Sequence, residues 1–311
     1  MIKETCLVTG GAGFIGSHVV DALVEAGSPV AVVDNLSSGR REQVNPGARF
    51  YQADILDPLE DIFVRERPAV VYHLAAQISV SRSTQEPAFD ARTNIEGSIN
   101  ILQQCVRTGV RRIVYASSAA VYGEPPSLPL REDQVVFPLS PYGISKYVVE
   151  YYLYYERQAH GVEYVALRYG NVYGPRQDPH GEAGVVAIFS QRLLDGKEAV
   201  IYGDGLQTRD FVYVEDVARA NVFAKDAAIP HDLRPVFNIS SARQTTVNEI
   251  FRLVREYCGS SQKEIHGPPR PGDVYHSFLA NDLAHTYLAW EPSIPVGEGL
   301  RKTVEYFRCS R

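Results

Sequence analysis

Short apolar runs alternate with longer stretches of helical spacing through the first half of the chain. Runs at 6–9, 30–33, 49–53, 70–74, 112–117 and 164–168 are rich in β-branched residues and show little polar alternation. That pattern predicts strands buried on both faces of a parallel sheet. Between them, 14–26, 94–108 and 141–160 read as helices, and Gly27 and Gly109 stand where the first two should stop. Alternation of this kind predicts a doubly wound α/β sheet. After Asn171 the rhythm weakens, and Pro and Gly crowd Gly174-Pro175-Arg176-Gln177-Asp178-Pro179. A first domain is therefore expected over 1–170, with part of 205–235 returning to it, and a smaller α+β lobe over 171–311.

Composition narrows the class of molecule. The 311 residues are 45% apolar and 22% charged, ordinary for a globular protein with a sizeable core. A net charge of −6 without a basic block argues against a nucleic-acid partner. Cys6, Cys105, Cys258 and Cys309 are far apart, so neither a disulfide framework nor a metal site is expected. Met1 leads almost directly into an apolar run with no cleavage signature, and no stretch reaches membrane-spanning length. The expectation is a cytoplasmic, enzyme-sized protein with no membrane partner.

The first candidate chemistry follows the first strand. In Thr9-Gly10-Gly11-Ala12-Gly13-Phe14-Ile15-Gly16 the glycines allow a tight turn and let the backbone approach a pyrophosphate resting on a helix N-terminus. Asp34 ends the second strand about 20 residues on, where its carboxylate can accept hydrogen bonds from ribose hydroxyls. It opens the turn that continues through Asn35, Leu36, Ser37, Ser38 and Gly39. Like charge disfavours a 2′-phosphate beside Asp34, so the expected cofactor is NAD, and 1–170 reads as a Rossmann-like NAD-binding domain.

The second lies on the third helix. Tyr142 and Lys146 in Tyr142-Gly143-Ile144-Ser145-Lys146 are four apart and share a helix face. A cation near the phenol is expected to pull it below its reference pKa of about 10, which suits a base that deprotonates an alcohol losing hydride. Ser117 and Ser118 end an earlier strand, at the edge where an open α/β sheet binds ligands.

Together these motifs resemble the extended short-chain dehydrogenase/reductase superfamily, and within it the UDP-galactose (UDP-glucose) 4-epimerases. The likeness runs from the glycine loop to Gly297-Glu298-Gly299-Leu300-Arg301-Lys302-Thr303. It implies that Gly10, Gly13, Phe14, Ile15 and Gly16 hold the pyrophosphate, and that Asp34, Asn35, Ser37, Ser38 and Gly39 border the adenosine ribose. Asp54-Ile55 would lie beside adenine, with Leu74-Ala75-Ala76 and Asn94 along the cofactor. Ser118, Tyr142 and Lys146 would form the catalytic triad, touching both cofactor and sugar. Beyond them, Asn171, Tyr202, Arg209, Arg270 and Asp273 would hold the sugar nucleotide, Tyr202 on uracil and the arginines on the diphosphate. Ser277, fourth after Asp273, would border the sugar's C2 substituent, and its small size implies room for an N-acetyl group. Relatives that dehydrate their sugar carry Asp-Glu after the catalytic hydroxyl, whereas Ala119-Ala120 follow it here.

The implied activity is NAD-dependent 4-epimerisation of UDP-hexoses (UDP-glucose and UDP-galactose, with UDP-GlcNAc and UDP-GalNAc) through a transient 4-keto sugar. A homodimer is implied as well, through the 94–108 and 141–160 helices. The rivals are 4-epimerisation or decarboxylation of a UDP-hexuronate, for which Arg82 is the candidate cation, and a non-catalytic cofactor sensor. One outcome follows from Asp34 alone. Apoprotein reconstituted with NAD should be far more active than apoprotein given NADP, and equal rescue would remove Asp34 from the ribose.

Overall fold

The computed structural model describes residues 4–124, 127–180, 184–269 and 274–310. Its first six strands are β1 (Cys6–Thr9), β2 (Val30–Asp34), β3 (Arg49–Gln52), β4 (Val70–His73), β5 (Arg112–Ser118) and β6 (Glu163–Tyr169). They join the Val236–Ile239 strand in one seven-stranded sheet. From the Val236–Ile239 strand inward, the order is β6, β5, β4, β1, β2, β3. Every pairing is parallel. The order therefore reverses beside β1, between β4 and β2, and a crevice opens at the carboxyl ends there.

Both faces are covered, which is why β1, β2 and β4 are wholly buried. The helices used below are α1 (Phe14–Glu25), α2 (Glu60–Glu66), α3 (Val80–Gln85), α4 (Pro87–Ala91), α5 (Gly97–Thr108) and α6 (Pro141–His160). One core layer joins Val19, Val20 and Leu23 of α1 to Val8, Val32 and Val114 of the sheet. The other packs Phe63, Ile101, Leu102, Val149 and Leu153 against Leu7, Val71 and Ile113. Strand β3 departs from the expected double burial. It is the sheet edge, half-exposed, and its Arg49 pairs with Glu66 of α2.

The predicted 94–108 helix is also divided. Residues Arg92–Glu96 form a π-turn before α5 begins at Gly97. Asn94 in that turn accepts from the Gln77 backbone N–H at 2.7 Å and donates to the Gln77 carbonyl at 3.0 Å. A side chain clamped onto a neighbouring loop is a physical cause for the extra residue in the turn.

Beyond β6 the chain builds a second core. Phe189, Ile250, Phe251, Leu300 and Val304 gather three helices, Val185–Leu194, Val247–Cys258 and Val296–Cys309. Short strand pairs flank it, among them Thr208–Arg209 with Thr245–Thr246. The Val214–Ala224 helix instead packs on α1, and the Val236–Ile239 strand pairs with β6. The chain thus leaves the sheet at β6 and comes back to it before the second lobe is complete.

Trp290 fastens this return. It is fully buried in the α1 layer, and its indole N–H donates to the Asp216 carbonyl at 2.8 Å. Trp290→Ala should lower stability by about 3–5 kcal/mol through the cavity and the lost contacts. Urea denaturation checks this, and a loss below about 1 kcal/mol would show that the segment is not locked there.

Candidate active site

The glycine loop is dictated by space. Gly10 has φ +73°, and a Cβ there would come within 2.7 Å of the Ala75 backbone nitrogen. A Cβ on Gly16 would meet the Gly10 carbonyl oxygen at 2.0 Å. The chain can turn from β1 into α1 so closely only without these side chains. Gly13 is the N-cap residue of α1 and has no capping side chain, so the first amides of the helix face an open cleft.

That cleft is lined by Gly10, Gly13, Phe14, Ile15, Gly16, Asp34, Asn35, Ser37, Ser38, Asp54, Ile55, Leu74, Ala75, Ala76, Tyr142 and Lys146. Thr93, Ser117 and Tyr169 also line it. It spans the sheet from β2 to β5, three strand spacings or roughly 14 Å, the scale of an extended dinucleotide. The cradle that any Cβ would fill, the open helix terminus and the acid at the far end all suit NAD.

Asp34 accepts from the Ala12 N–H at 2.9 Å and the Leu36 N–H at 2.8 Å. One oxygen is engaged by each, and both keep a lone pair for a ribose hydroxyl. Asn35 donates to Asp54 across the same end at 2.7 Å. Two expected cofactor residues, Gly39 and Asn94, are not among the residues that line the cleft. Gly39 backs onto Ala12, leaving no space for a Cβ. Asn94 is buried, donating to Asp90 at 3.1 Å and to Ser145 of α6 at 3.1 Å.

At the other end, α6 is set by its own start. Ser140 accepts from the Gly143 N–H at 3.1 Å, and Pro141 supplies the first helical residue. Gly143 lets this turn approach the segment after β5, since a Cβ there would sit 2.6 Å from the Ala120 carbonyl oxygen. Tyr142 is thereby brought near Ser118, whose hydroxyl favours the ionised phenol and accepts from the Ala120 N–H at 3.1 Å. Lys146 donates to the Ala116 carbonyl at 2.9 Å, with its ammonium 6.0 Å from the Tyr142 ring centre.

The electrostatics correct one expectation. Burial pushes the Tyr142 phenol above its ordinary value, the Ser118 hydrogen bond pulls it back, and Asp90 pushes it up again. Lys146 does not bring it below the reference value. Burial lowers the lysine itself to about 8, against an upward pull from Asp90, because a dry site penalises both charged forms.

The sequence reading missed a buried relay beneath the loop. The Ala75 N–H donates to the Thr9 hydroxyl at 3.2 Å, and that hydroxyl bonds His73 Nδ1 at 2.8 Å. His73 Nε2 meets the Ser98 hydroxyl at 2.8 Å, and that hydroxyl donates to the Asn94 carbonyl. Burial lowers His73 to about 3, so the ring is neutral, and these partners assign its proton to Nε2. A histidine closing an otherwise apolar strand was the available signal. Asp90 offered none beyond standing four residues before Asn94.

Three of the second-lobe candidates, Asn171, Arg209 and Ser277, meet at residues 208–210. The Asn171 N–H donates to the Asp210 carbonyl at 2.7 Å, and the Ser277 N–H to the Thr208 carbonyl at 3.2 Å. Arg209 donates to the carbonyls of Thr208 and Tyr275, at 2.9 and 3.3 Å. Tyr202 and Tyr275 line a further cleft with Gln207 and Pro269. Arg270 and Asp273 lie outside the described residues. Arg82 does not turn toward the NAD cleft, as it stacks on Phe89 at 4.0 Å and pairs with Glu86. Among the described residues no helix is long and apolar enough to cross a membrane.

Comparison with known proteins agrees with this geometry. A UDP-glucose 4-epimerase of Mycolicibacterium smegmatis is 43% identical, covering 97% of this chain and 98% of its own. The structure of a UDP-glucose 4-epimerase with UDP-glucose from Thermotoga maritima superposes with a TM-score of 0.95 at 50% identity, covering 98% and 99%. A UDP-N-acetylglucosamine 4-epimerase from Methanobrevibacter ruminantium, in complex with UDP-N-acetylmuramic acid, reaches 0.94 at 36% identity and covers both chains fully. The profile of the NAD dependent epimerase/dehydratase family matches residues 6–240, and the chain belongs to that family.

Proposed function

We infer that this protein is an NAD-dependent UDP-hexose 4-epimerase that interconverts UDP-glucose and UDP-galactose. The observation that carries the reading is the meeting of Tyr142, Lys146 and Ser118 at one end of a glycine-looped dinucleotide cleft. Ala119-Ala120 stand where a dehydratase would need acids, so the 4-keto sugar has no route to lose water. Arg82, the candidate cation for the hexuronate alternatives, is half-exposed on α3, where it pairs with Glu86 and stacks on Phe89.

Tyr142 takes the proton from O4 as hydride leaves C4, and Ser118 steadies that oxygen. NAD, held by the glycine loop and Asp34, would supply the hydride acceptor. Lys146, cationic below about pH 8, is held on the Ala116 carbonyl with its ammonium 6.0 Å from the Tyr142 ring centre. Arg209, with Arg270 and Asp273, holds the nucleotide while the keto sugar turns its opposite face to the same hydride. Tyr202 and Tyr275 flank the cleft assigned to uracil.

The protein acts as a cytoplasmic homodimer on this reading. Tyr151, Tyr152, Tyr154 and Tyr155 support the dimer, because all four are exposed on α6.

Two experiments test the chemistry. UDP-glucose with the NAD-loaded enzyme should yield UDP-galactose without net reduction of the cofactor. Tyr142→Phe should keep NAD while turnover falls by roughly two to four orders of magnitude, and near-normal activity in that variant would end the mechanism. The second concerns breadth. Ser277 is small and held by Thr208, so UDP-N-acetylglucosamine should also be a substrate. Ser277→Tyr should abolish that activity and spare the plain hexoses, and equal loss of both would sink the assignment.

A further inference from the structure

One stripe of α6 continues past the catalytic pair. Tyr142, Lys146 and Glu150 are spaced by four, so they face the sheet together. Two of them bond the end of β5, Lys146 through the Ala116 carbonyl and Glu150 through Ser117, while Gly143 brings Tyr142 against the segment that follows the strand. The Ser117 hydroxyl donates to Glu150 Oε1 at 2.7 Å. Glu150 is fully buried and receives three more bonds. Arg168 of β6, also fully buried, donates from Nε at 2.9 Å and from Nη2 at 2.7 Å. Arg234, just before the Val236–Ile239 strand, donates from Nη2 at 2.9 Å.

This cluster is an unusual way to fill a core. A buried ion pair commonly gives no more stability than apolar side chains of the same volume. What it does provide is direction, because a carboxylate with four donors fixes every partner in angle and distance. Here the fixed partners include Ser117, which lines the cleft, and the Arg168 guanidinium, which lies 4.8 Å from the Tyr122 ring centre. Tyr122 donates to Asn238 at 2.7 Å, and Asn238 donates to the Ala280 carbonyl of the second lobe at 3.0 Å. The chain of bonds therefore runs from the catalytic helix to the segment that carries Ser277.

We propose that Glu150 is a positioning residue for the epimerase reaction, bracing α6 against β5 so that Tyr142 and Lys146 keep their place beside the end of that strand while the sugar turns. The proposal rests on the 4-epimerase reading above. Glu150 touches neither sugar nor cofactor, and it acts through Ser117 and the helix.

The test uses the NAD-loaded enzyme with UDP-glucose and three variants. Glu150→Leu/Arg168→Met removes both fully buried charges together, so that only the Ser117 hydroxyl and the part-exposed Arg234 lose a partner. It should melt within a few degrees of wild type and keep KM within about twofold, while kcat falls about tenfold or more. Glu150→Gln should lose a similar factor in kcat and also melt earlier, since Arg168 keeps an uncompensated charge. Ser117→Ala leaves the ion pair intact and should lower kcat about three- to tenfold at unchanged melting temperature. A double variant with wild-type kcat, or a Ser117→Ala enzyme with wild-type kcat, would overturn the brace while leaving the epimerase assignment standing. A wild-type enzyme that does not turn over UDP-glucose would overturn both.

Discussion

Parallel pairing of β1 with β4, and of β4 with β5, places Thr9, His73 and Tyr115 in adjacent register. Because these strands run the same way, each must be followed by a crossover, and their carboxyl ends collect at one edge. The glycine loop, the Leu74-Ala75-Ala76 segment and Ser117-Ser118 all leave the sheet at that edge. The reversal of strand order beside β1 then separates their flanking helices and opens the cleft between them. Antiparallel pairing of the same strands would have spread these groups over both ends of the sheet.

Closeness at that edge is obtained by removing side chains. Gly10, Gly16 and Gly143 each stand where a Cβ would strike backbone, and Gly143 in particular docks the start of α6 beside the turn after β5. With no side chain in the way, hydrogen bonds set the geometry. The His73 relay ties the glycine loop to the π-turn, Asn94 ties that turn to α6, and Lys146 ties α6 to β5.

The same dryness governs the chemistry. Burial raises Tyr142, lowers Lys146 and keeps His73 neutral, so this end of the cleft disfavours the phenolate. Asp90 opposes ionisation of Tyr142 while favouring the Lys146 cation. A base of this kind becomes effective when positive charge gathers around it, which couples deprotonation to an occupied site rather than leaving a reactive phenolate in the resting protein.

The doubly wound sheet, the glycine loop, Asp34 and the Tyr142–Lys146 pair were legible in the chain because each depends on short-range physics. Strand–helix alternation, absent side chains at a turn and four-residue helical spacing are properties of neighbouring residues. Folding decided what depends on contacts between distant ones. It drew the seventh strand from Val236–Ile239, made β3 an exposed edge and put a π-turn at Asn94. It also set the ionisation of Tyr142, since burial and Asp90 reach that phenol from elements the local spacing of Tyr142 and Lys146 does not encode. Glu150 shows the division most clearly. In the sequence it is one more acid on a helix, and only the folded chain surrounds it with Ser117, Arg168 and Arg234, because desolvation and pairing are determined by what packs around a group rather than by its neighbours along the chain.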